Sequence, residues 1–257
     1  MDLSIITVTW NSEKHIKNQM ESVQKGAEGL RYEQIIVDNN SNDSTVAVVR
    51  DVGNVRMIEN NTNLGFAKAN NLAVKIARGQ FILFLNPDME LSHSGMLKRA
   101  VEYLKENQDI SIMGCKLLGR DGKQNINAGP RRFPLKTDFL IMLLKVHHFF
   151  PKLLQKYYYG DLDFDKRQTV ETVRGSFMLT RREIMQKLNL TPFDERYFLW
   201  MEDVDFCRQV KRLGYSIVYE PSFACLDLVG QSFKRRNLFK KQIMFYRSVY
   251  HYIQKWG

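Results

Sequence analysis

The chain has 257 residues, 44% of them hydrophobic, which is ordinary for a globular protein and enough for one large domain or two small ones. Thirty-eight lysines and arginines against 28 acids leave a net charge of +10, which calls for an anionic partner: nucleic acid, anionic lipid or a phosphorylated substrate. No apolar run reaches the roughly 18 residues that span a bilayer, so the sequence excludes a membrane helix.

Residues 3–8 form a β-branched, apolar run that predicts a central strand, ending in Thr9, Trp10, Asn11 and Ser12. Ser12 is a candidate N-cap for a helix over 13–25, closed by Gly26. A second strand is predicted over 34–37, with the polar tip Asp38, Asn39, Asn40 and Ser41, then a helix over 44–51 and a strand over 55–59. The loop 60–63 leads into a helix that starts at Gly65 or Phe66 and runs to 78. Residues 81–85, FILFL, read as a strand buried on both faces. Pro87 cannot donate to a ladder, so the strand stops in Asn86, Pro87 and Asp88.

Strands and helices alternating at this spacing give βαβ units and a parallel sheet. Three strands end in the polar clusters TWNS, DNNS and NPD, and a parallel sheet brings such ends to one rim. Open α/β sheets bind ligands there. A carboxylate such as Asp88 at that rim suits Mg²⁺ or Mn²⁺, which prefer oxygen and leave positions open for a diphosphate; the plain alternative is a Pro-Asp turn.

The second half is less regular. Ser92 can cap a helix over 93–107, a strand is expected over 110–118, and GRDG at 119–122 signals a turn. The pattern weakens over 129–168, where the apolar stretch 139–154 is interrupted by Lys145, His147, His148 and Pro151 and reads as a flap or interfacial segment. A strand is expected over 170–180, a short helix over 182–188, a helix over 202–213 with Glu202, Asp203 and Asp205 in its first turn, a strand over 216–219 and a helical tail from 238.

The order VTWN, IIVDNNSNDST, NTNLGFAKANN, FILFLNPD, RGSFMLTRREI, FDERYFLWMEDVDFCRQVKRLGY and DLVGQS resembles the family 2 glycosyltransferases, and within them the rhamnosyltransferase-like members that build bacterial surface polysaccharides. The resemblance covers residues 3–232. It implies a GT-A fold, an α/β architecture with a Rossmann-like, mostly parallel sheet and helices on both faces. It places Thr7, Asn11, Asp38 and Asn40 against the base and ribose of a nucleotide; the plain alternatives are a loop residue at Asn11 and an Asx-turn at Asp38. It places Asn63 and Gly65 near the nucleotide-sugar, and Asn86 near ribose or sugar. A carboxylate suits a ribose hydroxyl because it only accepts hydrogen bonds. Gly65 permits close backbone approach, and a helix starting there would offer N–H groups to an anion; Asn63 could equally cap the helix while Phe66 packs inside.

NPD stands where the family carries a more acidic motif, so Asp88 is expected to hold Mg²⁺ or Mn²⁺ between the donor phosphates. Asp203 matches the family's base and Glu202 would orient it or the acceptor; Asp205 is expected to face a basic partner or solvent. The family's metal-binding histidine is replaced here by Asp227, expected either as a second metal ligand or as the partner of a nearby lysine or arginine, with the ion then resting on Asp88 and the diphosphate alone. Arg174 sits where similar proteins contact donor or acceptor. The expected partners are a dTDP- or UDP-sugar donor and a saccharide or polyprenyl-diphosphate-linked acceptor.

The division expected is a glycosyltransferase domain over 1–232, with a nucleotide-sugar half over 1–118 and an acceptor half over 119–232, followed by a basic amphipathic helix over 233–257. That tail carries Lys234, Arg235, Arg236, Lys240, Lys241, Arg247 and Lys255 beside a stripe of Phe239, Ile243, Tyr246, Tyr250 and Ile253. It reads either as packed on the domain or as lying on an anionic membrane surface. No nucleic-acid-binding motif occurs, so nucleic acid is not an expected partner. The start lacks the marks of a signal peptide, and Cys115, Cys207 and Cys225 are expected as free thiols, so the expected location is cytoplasmic, with the inner membrane face as an option. Two other classes stay open: a nucleotidyltransferase, against which the lack of a glycine- and arginine-rich loop in VTWNSEKH speaks, and an inactive sugar-nucleotide-binding protein, against which Asp88 and Asp203 speak.

Overall fold

The computed structural model describes residues 1–125, 128–228 and 238–257. Its centre is a sheet ordered β3-β2-β1-β4-β8-β6-β9-β5, with β7 paired to β9. The first four strands, β1 (Leu3–Thr9), β2 (Tyr32–Asp38), β3 (Arg56–Glu59) and β4 (Phe81–Leu85), are mutually parallel. They are linked by α1 (Ile16–Gly26), α2 (Thr45–Val52) and α3 (Gly65–Ile76). The register sets Thr9 beside Asp38 and Asp38 beside Glu59, so the predicted polar tips do share one rim.

The strand alternation explains why both faces are covered. Leu3, Ile5, Phe81, Leu83 and Leu85 join one core with α1 and with α4 (Met96–Glu106). Ile6, Ile82 and Phe84 join another with α3, α6 (Arg182–Lys187) and α7 (Glu202–Arg212). In the second half β8 (Phe177–Arg181) runs antiparallel between β4 and β6 (Ile110–Leu118). The long β9 (Ser216–Asp227) lies parallel to β6, and its far end pairs antiparallel with the three-residue β5 (Met89–Leu91). The two-residue β7 (Gln168–Thr169) closes on the near end of β9.

Several predicted boundaries move, each for a local reason. Helix α1 begins at Ile16 because Ser12 forms a turn, its carbonyl accepting from the His15 and Ile16 amides and its hydroxyl from the Trp10 amide. Helix α4 begins only at Met96, after Gly95 at φ 66°, because residues 89–91 are taken by β5. The strand expected over 170–180 keeps only Phe177–Arg181, since Thr172 turns aside to bond Arg131. The strand expected to end at Tyr219 continues to Asp227, past a register shift beside Pro221, which cannot donate to the ladder. All three cysteines are free and buried.

The last helix, α8 (Leu238–Trp256), packs on the domain against α5 (Lys136–Leu143) and the segment after it. Val249 and Tyr252 are buried with Phe139, Leu154, Tyr157, Tyr197, Met201 and Val204. The predicted stripe is therefore largely out of phase: Ile243, Tyr246 and Tyr250 stay exposed, while Ile253 joins Phe245, Val249, Tyr252 and Trp256 against the domain. Asp205 finds a basic partner inside this contact, accepting from Lys255 at 2.8 Å, Trp256 at 2.6 Å and Gln209 at 2.9 Å. No helix among the described residues is long and apolar enough to cross a membrane. Lys234, Arg235 and Arg236 of the basic tail, and Val229 to Ser232 of DLVGQS, lie outside the described residues.

Candidate active site

The carboxyl ends of β1 and β4, the start of α3 and the start of α7 enclose a cavity of about 310 Å³. Asn63, Gly65, Asn86, Asp88, Glu202, Asp203 and Asp227 all line it, so seven of the predicted site residues converge. Asp88 follows the buried strand β4 and is itself only 9% exposed. The chain then reverses into β5, where Met89 pairs with Asp227 of β9 and the Leu228 amide donates to the Asp88 carbonyl at 3.1 Å. Two aspartates from distant parts of the sequence are thus brought by adjacent backbone to the wall of one cavity.

No group of three or more His, Cys, Asp or Glu side chains that could hold a metal ion occurs among the described residues. Asp88 and Asp227 supply oxygen alone. That pair suits a hard ion such as Mg²⁺ or Mn²⁺, which keeps several waters and takes the rest of its shell from phosphates.

Helix α7 carries the other acidic pair. Trp200 and Met201, just before it, hold left-handed backbone angles of φ 66° and 68°, costing about 1–3 kcal/mol each for residues that are not glycine. This turn aims the first residues of α7 at the cavity. Asp203 accepts from the Gly175 amide at 3.2 Å and from the Val204 amide at 2.8 Å. Glu202 is buried, and one carboxyl oxygen has no hydrogen-bond partner. Burial first, and the charge of Asp203 second, push the Glu202 carboxyl well above the usual range, favouring its neutral form. Arg174 stands across from this pair; burial first and the Arg131 charge second bring its guanidinium down to about 10.

Four predicted donor residues lie elsewhere. Thr7 is fully buried and its hydroxyl accepts from Gln19 at 2.9 Å. Asp38 is 2% exposed, with its oxygens accepting from the Thr9 hydroxyl and from the amide and hydroxyl of Ser41. Asn11 braces the neighbouring loop, accepting from the Asn42 amide at 2.8 Å, and Asn40 points outward at φ 61°. None of the four lines the cavity. Their places at the wall are taken by Thr9, Trp10 and Asn39, which sequence reasoning passed over although Thr9 and Trp10 sit farther along the same strand end.

The start of α3 follows the capping alternative, with Asn63 holding the first amide and Phe66 packed against the core. The Gly65 amide is held by the Asn63 side chain and the Phe66 amide by the Phe198 carbonyl, so these donors are not open to an anion. Gly65, at φ 81°, is needed because a Cβ would come within 2.5 Å of that same carbonyl. Phe66 both lines the cavity and packs edge-on against Phe193.

The sequence profile of glycosyl transferase family 2 matches residues 4–188. The chain belongs to this family. Among its relatives, rhamnosyltransferase WbbL of Escherichia coli K12 is 26% identical over 98% of this chain and 92% of its own length. The N-acetylglucosaminyl-diphospho-decaprenol L-rhamnosyltransferase of Mycobacterium tuberculosis is 26% identical over 86% of this chain and 74% of its own. Other relatives are longer: the chain spans 64% of the hexosyltransferase Agl10 of Haloferax volcanii. Among solved structures, the mannosyltransferase PcManGT from Pyrobaculum calidifontis with GDP-Man and Mn²⁺ superposes with a TM-score of 0.66 at 18% identity, covering 98% of this chain and 64% of that one. Staphylococcus aureus TarS 1-349 with UDP gives 0.59 at 21% identity, covering 88% and 60%. The architecture is the GT-A fold, and the protein is a family 2 glycosyltransferase, rhamnosyltransferase-like.

Proposed function

We propose that this glycosyltransferase moves a sugar, rhamnose first among the choices, from a dTDP- or UDP-sugar to a saccharide or polyprenyl-diphosphate-linked acceptor, with inversion, in surface polysaccharide synthesis. The carrying observation is that Asp88 and Asp227, and Glu202 and Asp203, border one cavity. The sugar identity and acceptor class are suggested by the names of two relatives, the rhamnosyltransferase and the decaprenol-linked L-rhamnosyltransferase.

In this reading Asp88 and Asp227 hold Mg²⁺ or Mn²⁺, which when bound supplies Lewis-acid stabilisation of the departing diphosphate. Trp10 offers a flat face for the base, and Asn86 a polar contact for ribose or sugar. Asp203 accepts the proton from the attacking acceptor hydroxyl, which a single displacement with inversion requires. The amides of Gly175 and Val204 fix its orientation. Neutral Glu202 positions the acceptor without adding a second charge beside Asp203. Residues 1–118 would serve the donor and 119–232 the acceptor, with α8 as a basic appendage bound to the second part.

Peripheral membrane contact belongs to the same proposal. After α5, Leu144, Phe149 and Phe150 are 65%, 83% and 62% exposed among Lys145, His147, His148 and Lys152, the mixture of apolar and basic side chains that suits an anionic leaflet.

The test is transfer from dTDP-rhamnose and a panel of UDP-sugars onto a synthetic N-acetylglucosaminyl-diphospho-lipid, with Mn²⁺ or with chelator, and NMR of the product's anomeric centre. Metal-dependent transfer with inverted configuration is expected. Retention of configuration, or release of pyrophosphate from a nucleoside triphosphate instead, would refute it.

A further inference from the structure

A second cavity, about 530 Å³, meets the first at Arg174, Trp200, Glu202 and Asp203. Its wall carries Arg131 and Tyr157. The Arg131 guanidinium lies 5.8 and 5.6 Å from the ring centres of Tyr157 and Tyr158, and its Nε has no hydrogen-bond partner. Tyr157 is 2% exposed and its hydroxyl also lacks a partner. Among the described residues, neither Arg131 nor Arg174 makes an ion pair. Two half-buried guanidiniums on one cavity wall, the Nε of Arg131 left unfilled, are an arrangement that a bound anion relieves. Arg binds phosphate through paired N–H groups, and a tyrosine hydroxyl can add a third donor.

The position decides which anion. The donor's diphosphate belongs to the first cavity, beside Asp88 and Asp227. The second cavity lies on the far side of Asp203, where an acceptor must enter. We infer that Arg131, Arg174 and Tyr157 form a subsite for a phosphate of the acceptor, next to the sugar or polyol whose hydroxyl meets Asp203. This rests on the glycosyltransferase reading above. The phosphate could belong to a lipid diphosphate or to a polyol phosphate. Lys145, His147 and His148 of the same wall neighbour the exposed Leu144 and Phe149 in the chain, which favours a phosphate that carries an apolar tail.

The test holds the donor site filled with UDP and Mn²⁺ and titrates three probes by calorimetry: farnesyl diphosphate, inorganic pyrophosphate and glycerol 3-phosphate. Farnesyl diphosphate is expected to bind beside UDP. Arg131→Gln and Tyr157→Phe should each weaken it, the first by about tenfold or more, as expected for a lost charge-assisted hydrogen bond, while UDP affinity stays at the wild-type level. Retained UDP binding shows that each variant is folded, and Tyr157→Phe removes one oxygen only. Pyrophosphate binding as tightly as farnesyl diphosphate would keep the subsite and discard the apolar tail; glycerol 3-phosphate binding more tightly than either would assign it to polyol phosphates. Displacement of UDP by every probe, or unchanged probe affinity in both variants, would overturn the subsite. Failure of wild type to bind UDP would overturn the donor reading instead, and the probe titrations would then decide the subsite by themselves.

Discussion

Replacing Lys255 by methionine tests how the last helix is held. The Asp205 side chain has no exposed surface and the Lys255 side chain is 24% exposed, with 2.8 Å between them. Removing one partner of a buried ion pair costs about 3–5 kcal/mol, because a charge is left without compensation. Asp205 keeps Trp256 and Gln209 as donors, which argues for a loss of about 2–3 kcal/mol. For a chain of this size that is roughly 5–10 °C in melting temperature. The pH dependence has a definite sign. Burial raises the Asp205 carboxyl, and the hydrogen bonds from Lys255 and Trp256 oppose the rise. A carboxyl whose folded value exceeds its unfolded one costs stability as pH climbs from the unfolded value through the folded one. Loss of Lys255 moves the folded value further up. The gap between wild type and Lys255→Met should therefore be wide at pH 8 and narrower at pH 5, and Asp205→Asn combined with Lys255→Met should recover most of it. Melting curves by circular dichroism at the two pH values measure this. A gap under about 1 °C at both, or one that does not change with pH, would refute the reasoning.

Asp203→Asn should bind UDP or dTDP as wild type does and turn over about 10²–10⁴ times more slowly, the usual loss for a general base; wild-type kcat would remove Asp203 from that role. Asp88→Ala should abolish the Mn²⁺-dependent part of nucleotide affinity while the far-UV circular dichroism spectrum and a cooperative melting transition show that the fold is kept. Asp227→Ala should reduce the same metal-dependent affinity, and identical calorimetric titrations for the two aspartate variants and wild type would dismiss the pair as ligands. Co-sedimentation with liposomes should rise with anionic lipid and fall with salt, since salt screens exposed charges. Phe149→Ser with Phe150→Ser should lower it, and equal binding to neutral vesicles would speak for the α8 contact being purely intramolecular.

The strands of the first half were legible because most carry an apolar, β-branched stretch that ends in a polar tip, and Phe81–Leu85 was read to the residue. The acidic half of the site was legible for the same reason: Asp88 and Asp203 sit at the ends of regular elements, where position follows from the element. The wall at the end of β1 was not. Choosing between Thr7 and Thr9 depends on where the strand meets the rim, and both occupy the same face of β1. Asp38 is a carboxylate at a strand end like Asp88, but Thr9 and Ser41 occupy its oxygens. The strand β5 left little trace because MEL is three residues long. The phase of α8 misled because apolar residues lie on both of its sides, and partners far away in sequence, Asp205, Asp194, Arg208 and the Leu199 carbonyl among them, select which one turns inward.

The sheet order carries a consequence for how the molecule is made. Strand β5 leaves the ribosome early, directly after β4, yet its ladder partner is the end of β9. Until residues 225–227 emerge, the NPD turn is followed by a strand with nothing to pair with. An open edge invites pairing with other chains. Its brevity, and the polar Glu90 at its centre, limit that hazard. The same delay means that Asp88 waits for Asp227, so the acidic end of the cavity closes only when the sheet does. A chain stopped short of β9 would carry most of the strand tips and none of that closure.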